Sequence, residues 1–132
     1  MYTDIRSRKI TEIRRSPTVT LLFYDERAKL QVQVTGTATI RNQDALCAEI
    51  WSKLPPQGRC DYLAANAPGT PLPDPFQGHQ IFPPETASYD HFATLDTKAH
   101  YLQVLQLTQG GHYRAEYHHQ ETGQWRGRWI AP

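Results

Sequence analysis

Apolar and polar residues alternate along the stretch KLQVQVTGTATI, residues 29–40. Because successive side chains of a β-strand point to opposite faces, this alternation predicts a strand with one apolar and one polar face. The apolar face carries Leu30, Val32, Val34, Ala38 and Ile40, and the polar face carries Gln31, Gln33, Thr35, Thr37 and Thr39. The preceding stretch TVTLLFYDE, residues 18–26, is rich in β-branched and aromatic residues and predicts the partner strand of a hairpin.

A short helix is predicted before this hairpin. Residues 8–15 have helical spacing, and Ile10 and Ile13 lie on the side that we expect to be buried. Asp4 or Ser7 can cap the helix at its start, and Pro17 ends it.

A second helix is predicted after the hairpin, at residues 43–54, and we expect Asn42 to open it. Its apolar stripe comprises Leu46, Cys47, Ile50, Trp51 and Leu54. The stretch RCDYLAA, residues 59–65, predicts a further short helix. Residues 66–85 hold most of the prolines of the chain, which predicts a long surface loop.

The last third of the chain predicts β structure. The stretches at 91–95 and 100–108 predict two strands, and glycine-containing turns lead to two more at 112–119 and 124–132. In the third of these, one face carries His112, Arg114, Glu116 and His118, and the other carries Tyr113, Ala115 and Tyr117. Helices on an antiparallel sheet of at least five strands predict an α+β fold, mainly antiparallel β, in the form of a small closed or split barrel.

Length, charge and cysteine content narrow the function classes. The 132 residues suit a single domain, 1–132, and a 39% apolar fraction is ordinary for a globular protein. A formal net charge of +1 does not indicate nucleic acid or an anionic membrane as the main partner. No apolar run has the length of a membrane span, and we expect no secretion signal. Cys47 and Cys60 lack metal-type spacing, and we expect reduced thiols in a cytoplasmic protein.

Three cations, Arg6, Arg8 and Lys9, stand where the first helix begins. Because a helix N-terminus carries partial positive charge, cations are normally better placed at the other end. Either they form a solvated surface cluster or they face an anion. A phosphate at this position would meet free backbone N–H groups, and Arg8 and Lys9 would add charge-assisted hydrogen bonds. We therefore favour the phosphate-binding interpretation.

The first forty positions also carry a family pattern, made of Tyr2-Thr3-Asp4, Ser7-Arg8-Lys9, SPTVTLLF and Gln31-Val32-Gln33-Val34-Thr35-Gly36. In order and spacing it resembles the pyridoxamine 5′-phosphate oxidase family of flavin-binding split barrels. The C-terminal stretch HYRAEYHHQETGQWRGRWIAP resembles the last hairpin of that family. The resemblance implies an FMN-binding (flavin mononucleotide-binding) split β-barrel with short helices. It also implies a homodimer with both subunits contributing to the site, and an FMN-dependent oxidoreductase that acts on a small molecule.

The resemblance implies a role for four residues near the start of the chain. Arg8 and Lys9 correspond to the pair that binds the FMN phosphate. Tyr2 and Thr3 correspond to positions that contact the same cofactor at a strand end.

Two further residues correspond to positions near the flavin ring. Gln31 matches the glutamine that hydrogen-bonds the flavin, although its strand face could also simply look into water. Arg114 matches, across a one-residue gap, an arginine of the last hairpin near the isoalloxazine ring. The alternative for Arg114 is an ion pair with Glu116 or with the acidic side of a neighbouring strand.

The last two strands offer other side chains to which chemistry could be assigned. His112, Glu116 and His118 share a face, but residues two apart on a flat strand rarely converge on one ion, and an arginine between them would repel it. We therefore expect no metal site. Trp125 and Trp129 share a face of the last strand, and we expect them in the core or in a dimer interface.

The sequence also departs from the family pattern. The family's domain normally starts with a helix and two strands, the second of which supplies an Arg-x-Val segment, whereas Met1 directly precedes Tyr2 here and that hairpin is missing. Either the sequence starts late or the barrel is naturally shortened. Thr108 stands in place of a flavin-contacting tryptophan, and the Arg-x-His substrate motif is missing from HYRAEYHH. No catalytic residue and no particular substrate follow from the resemblance. The alternatives are a non-catalytic split-barrel dimer that has lost FMN and, supported only by the histidines, a haem-handling relative.

Overall fold

The computed structural model describes residues 1–79 and 88–132. In chain order its elements are β1 (Tyr2–Asp4), α1 (Arg8–Arg15), β2 (Thr18–Asp25), β3 (Leu30–Asn42), α2 (Ala45–Lys53), α3 (Pro56–Cys60), β4 (Phe92–Gln106), β5 (Tyr113–His119) and β6 (Trp125–Ile130). A 3₁₀ turn spans Pro75–His79 inside the predicted proline-rich loop, and positions 80–87 of that loop lie outside the described residues. None of the helices named here is both long and apolar enough to cross a membrane.

The strands form one sheet in the order β2-β3-β4-β5-β6, and β1 pairs with β4 outside this path. The ladders with a described register, β1–β4, β2–β3, β4–β5 and β5–β6, are all antiparallel. The path does not return on itself within the described part of the chain, so the sheet is open. This confirms the predicted α+β class with a mainly antiparallel sheet and short helices.

β4 is one strand of 15 residues, whereas the sequence predicted two separate strands. Its first residues pair with β1, and its residues from Tyr101 onward pair with β5. Between them, Asp96, Lys98 and His100 are exposed and the residues that separate them are part-buried. The polar stretch that suggested a break is therefore a strand with one solvated face.

The chain divides into two compact units. Unit 1 comprises residues 1–16 and 39–96, and unit 2 comprises residues 17–38 and 97–132. β3 and β4 contribute residues to both.

The core of unit 1 is an aromatic cluster under α2. Cys47, Trp51, Leu63 and Phe92 are buried and in contact, with Ile50, Leu54, Tyr62 and Tyr89 packed around them. The ring centroids of Trp51 and Tyr62 lie 5.5 Å and 5.0 Å from that of Phe92, in tilted and edge-on arrangements that favour aromatic packing. The predicted stripe of α2 is thus confirmed except at Leu46, which is exposed.

Both cysteines are free thiols, and burial raises the pKa of Cys47.

The starts of α2 and α3 differ from the prediction. α2 is capped by Asp44, whose carboxylate accepts a hydrogen bond from the Cys47 N–H at 2.8 Å. Asn42 instead ends β3 and donates from its side-chain amide to the carbonyls of Asp90 and Phe92. α3 begins at Pro56 rather than at residue 59, because proline suits the first turn of a helix.

The predicted hairpin of β2 and β3 forms, and its register from Thr18↔Thr37 to Asp25↔Leu30 lies within unit 2. Its apolar side is not dry along its whole length. On the apolar face, Phe23, opposite Val32, is exposed near the turn. Leu22 and Tyr24, opposite Gln33 and Gln31 on the polar face, are exposed as well, and β3 is uniformly part-buried from Leu30 to Thr35. The sequence pattern gave the alternation correctly, but it could not show what covers each face.

β4, β5 and β6 give unit 2 two chemically different faces. Residues directly opposite in an antiparallel ladder share a face. The polar face of unit 2 comprises Tyr101, Gln103, Arg114, Glu116, His118, Arg126 and Arg128. The apolar face comprises Val104, Ala115, Tyr117 and Trp129. Trp129 is 76% exposed and Trp125 is also exposed, so of their two predicted locations the core is wrong, and the dimer interface stays a prediction.

Candidate functional site

The start of α1 is a helix N-terminus without a side-chain cap. Ser7 is the N-cap residue, but its hydroxyl makes no bond to the helix. It lies 3.4 Å from the hydroxyl of Thr3, and both residues are buried. The first turn also contains no acidic residue. Because the first N–H groups of a helix have no partner within the helix, this end can accept an anion from outside.

Arg8 and Lys9, the predicted phosphate ligands, are exposed on this first turn. The Arg8 side chain is 91% exposed, and its Nε donates to Glu12 Oε1 at 2.8 Å along the helix. An exposed pair of this kind is worth only about 0.3–0.5 kcal/mol, so it does not fix the guanidinium. The structure therefore leaves both cations available to a ligand.

Arg6 differs from its two neighbours. Its guanidinium forms a bidentate ion pair with Asp4, in which Arg6 Nη2 lies 2.7 Å from Asp4 Oδ2 and Nε lies within 3.2 Å of both oxygens. It also donates to the carbonyls of Ala64 and Ala65. The three cations are therefore not one cluster, because Arg6 is committed to the fold of unit 1.

Tyr2 and Thr3 lie on β1, beside α1, and they present different surfaces. Tyr2 is half-exposed, and its ring packs 5.4 Å from the ring of Phe92 between centroids. Thr3 points to Ser7 at the helix start. Together with Arg8 and Lys9, they are the predicted site residues that belong to unit 1.

Arg114, on β5 in unit 2, has an unsatisfied donor. Its Nη2 donates to Gln103 Oε1 at 2.6 Å, but its buried Nε has no hydrogen-bond partner in the described part of the chain. Buried donors are nearly always paired in native proteins, so this donor is available to an acceptor from a bound molecule. The alternative prediction, an ion pair between Arg114 and Glu116, is wrong.

Gln31, the other predicted ring ligand, is part-buried on β3 and lies opposite Tyr24. No hydrogen bond of its side chain is found within residues 1–79 and 88–132. It belongs to unit 2, like Arg114.

Glu116 is the buried centre of a polar network that sequence reasoning missed. Its Oε1 accepts a hydrogen bond from Arg128 Nε at 2.6 Å, and its Oε2 accepts one from the Tyr101 hydroxyl at 3.2 Å. The Arg128 hydrogen bond is the main reason why the pKa of Glu116 lies below its ordinary value, against the opposing effect of burial. His118 Nε2 lies 3.6 Å from the same carboxylate. The register across the Gly123 turn, which sets Glu116 opposite Arg128, was the signal that could have revealed this pair.

The histidines do not form part of a metal centre in the residues that the structure describes. No group of three His, Cys, Asp or Glu side chains is arranged to hold an ion there.

Comparison with known proteins identifies the fold. No protein-family model and no curated protein matches the sequence. Among solved structures, a pyridoxamine 5′-phosphate oxidase-related, FMN-binding protein from Nostoc punctiforme PCC 73102 matches with a TM-score of 0.83 and 22% identity, over 99% of this chain and 71% of that one. The fold is a split barrel. PhzG from Burkholderia lata 383, solved in complex with tetrahydrophenazine-1-carboxylic acid, matches this split barrel with a TM-score of 0.71 and 15% identity, over 100% of this chain and 67% of that one.

Proposed function

We propose that the chain is an FMN-binding flavoprotein of the pyridoxamine 5′-phosphate oxidase-like type, and an oxidoreductase acting on a small molecule. The main support is the split-barrel fold that it shares with an FMN-binding protein over 99% of its length. The uncapped start of α1, with two exposed cations, is a second support that does not depend on this likeness. When bound, FMN supplies hydride-transfer chemistry, and the protein binds and orients it.

The phosphate of FMN is the part of the cofactor for which unit 1 is best suited. Binding at α1 requires Arg8 to exchange Glu12 for the phosphate, which costs about 0.3–0.5 kcal/mol. A hydrogen bond to a charged group contributes about 1.5–3 kcal/mol, so the exchange is favourable. Thr3 supports the same site by engaging the Ser7 hydroxyl, which leaves the helix N–H groups uncapped. Tyr2 adds a half-exposed ring next to this strand end.

The flavin ring is the part for which we propose contacts from unit 2. The buried Arg114 Nε lacks an acceptor, and the flavin ring carries carbonyl and ring-nitrogen acceptors that would satisfy it. Gln103 holds the other side of the same guanidinium and so fixes its orientation. Gln31 has both a donor and an acceptor available for the ring.

The proposal also includes a homodimer in the cytoplasm, with residues 1–132 acting as one domain. The exposed aromatic residues of unit 2 support self-association, and the two free thiols are consistent with a reducing compartment.

Titration of the purified protein with FMN tests the proposal, with flavin fluorescence and the visible spectrum as readouts. We expect saturable binding that shifts the flavin bands. A variant carrying both Arg8→Ala and Lys9→Ala should lose about 3 kcal/mol of binding free energy, roughly a hundredfold in affinity, because two charge-assisted contacts are removed. Riboflavin, which lacks the phosphate, should bind the wild type and this variant equally.

The matched control carries both Arg14→Ala and Arg15→Ala, which removes the same charge from the other end of α1. This control should bind FMN like the wild type. An unchanged spectrum and unquenched flavin fluorescence in the wild type would instead support the non-catalytic dimer. Equal losses in the two double variants would show that α1 attracts FMN only through its overall charge.

A further inference from the structure

The last hairpin of unit 2 lines an open cavity whose lining includes none of the residues proposed to bind FMN. The cavity has a volume of about 470 Å³ and is lined by His118, Gln120, Arg126, Gly127 and Arg128. This volume is within the range of small-molecule pockets. All of its lining residues come from the last hairpin, so it is built within one unit.

The two arginines of this cavity are arranged for a shared ligand. Arg126 and Arg128 lie two residues apart on β6, so their side chains leave the same face of the strand. Arg126 lies directly opposite His118, and Arg128 lies directly opposite Glu116. Arginine side chains are longer than the histidine and glutamate side chains of β5, so two guanidinium groups at this spacing can still reach one oxyanion from two sides, with strong charge-assisted hydrogen bonds.

Glu116 orients Arg128 without neutralising the cavity. Its carboxylate is buried and engages the Nε edge of Arg128, which leaves the terminal nitrogens of that guanidinium to other partners. No carboxylate lies within ion-pair distance of Arg126 in the part of the chain described here. The cavity is therefore lined by two cations, Arg126 and Arg128, and only Arg128 is paired with a carboxylate, that of Glu116 on the neighbouring strand.

We propose that this cavity binds the oxyanion group of a small molecule, a carboxylate or a phosphate, between Arg126 and Arg128. His118 and Gln120 supply further polar contacts at its wall. On the proposed function, this group belongs to the substrate, so the substrate is an anionic small molecule. The binding itself does not depend on that function, because no flavin takes part in it.

Backbone NMR of the protein as purified tests the anion site, with inorganic phosphate and succinate as separate probes at constant ionic strength. We expect saturable shifts of the amides of residues 118–128. The probe that saturates at the lower concentration identifies the oxyanion. Phosphate bound at α1 would shift residues 7–10 instead, so the two sites report separately. The proposed flavin site can therefore fail while the anion site holds, and the reverse is also possible.

Arg126→Gln is the main variant, because Arg126 has no ion pair in the described structure whose loss would unfold the protein. It should weaken binding of the better probe at least tenfold. Arg27→Gln removes the same charge from the β2–β3 turn of the same unit and should leave the affinity unchanged. Shifts that grow linearly without saturation, or equal affinities in Arg126→Gln and the wild type, would overturn the proposal.

Discussion

Arg6 is held by an ion pair and by backbone hydrogen bonds, whereas its neighbours Arg8 and Lys9 are exposed. Its side chain is 21% exposed, its partner Asp4 is 4% exposed, and two backbone carbonyls accept its other donors. Arg6→Ala leaves a buried carboxylate without its partner, and we expect the free energy of unfolding to fall by about 2–4 kcal/mol. Urea denaturation monitored by tryptophan fluorescence measures this.

The control for Arg6 is Arg8→Ala, two residues away. It removes an exposed pair and should lower the free energy of unfolding by no more than about 0.5 kcal/mol. If both variants lost the same stability, the distinction between a structural and an available cation would be wrong.

The role of a residue was predictable from the sequence only where it depends on residues close by in the chain. The helix start and its cations could be read from the spacing of Ser7, Arg8 and Lys9. The structural role of Arg6 could not be predicted in this way, because its carbonyl acceptors at Ala64 and Ala65 are distant in sequence. The partner of Glu116 was likewise misjudged, since it depends on the pairing register of β5 with β6 rather than on the nearest charge along the strand.

At the scale of elements, the Gln-Val-x-Val-x-Gly pattern has a physical reason in β3. A Cβ built on Gly36 would lie 2.6 Å from the carbonyl oxygen of Lys98 and 2.7 Å from Thr97 Cγ2 on β4. The backbone oxygen cannot move without disturbing the strand. We expect Gly36→Ala to lower the free energy of unfolding by about 1–3 kcal/mol, the usual cost of overpacking, as measured by urea denaturation.

Gly110→Ala is the matched control for Gly36, because no atom lies within 4 Å of the Cβ that it would add and its φ is not positive. It should leave the free energy of unfolding nearly unchanged. A large loss in this control, or none in Gly36→Ala, would contradict the close approach of the two strands.

Most helices and strands were predictable from the sequence. The errors concern where an element begins or whether it continues. β2, β3, β5 and β6 follow alternation and turn residues, which are local signals. The continuity of β4 depends on β1 and β5 as partners at its two ends, and a sequence pattern does not show partners. The start of α2 was misplaced because both Asn42 and Asp44 are good capping residues, and only the exit of β3 decides between them.

For the whole molecule, the exposed apolar residues of unit 2 are the strongest indication of a partner. Near the β2–β3 turn, Phe23 is 55% exposed, and on β6 Trp129 is 76% exposed. A cavity of about 270 Å³ beside Trp129 is lined mostly by apolar side chains. Apolar surface of this kind marks an interaction site more often than scattered single residues do. The proposed homodimer would cover it.

Sedimentation equilibrium tests the homodimer, which should have twice the chain mass of 15.1 kDa. Trp129→Ser and Phe23→Ser should each raise the dimer dissociation constant at least tenfold, because large exposed aromatic residues dominate the energy of interfaces. Phe76→Ser removes an aromatic residue that is 78% exposed but lies in the proline-rich loop of unit 1, and it should leave the dimer intact. A wild-type chain that sediments as a monomer, or a Phe76→Ser variant that dissociates equally, would show that the exposed aromatics of unit 2 are not the contact between two copies.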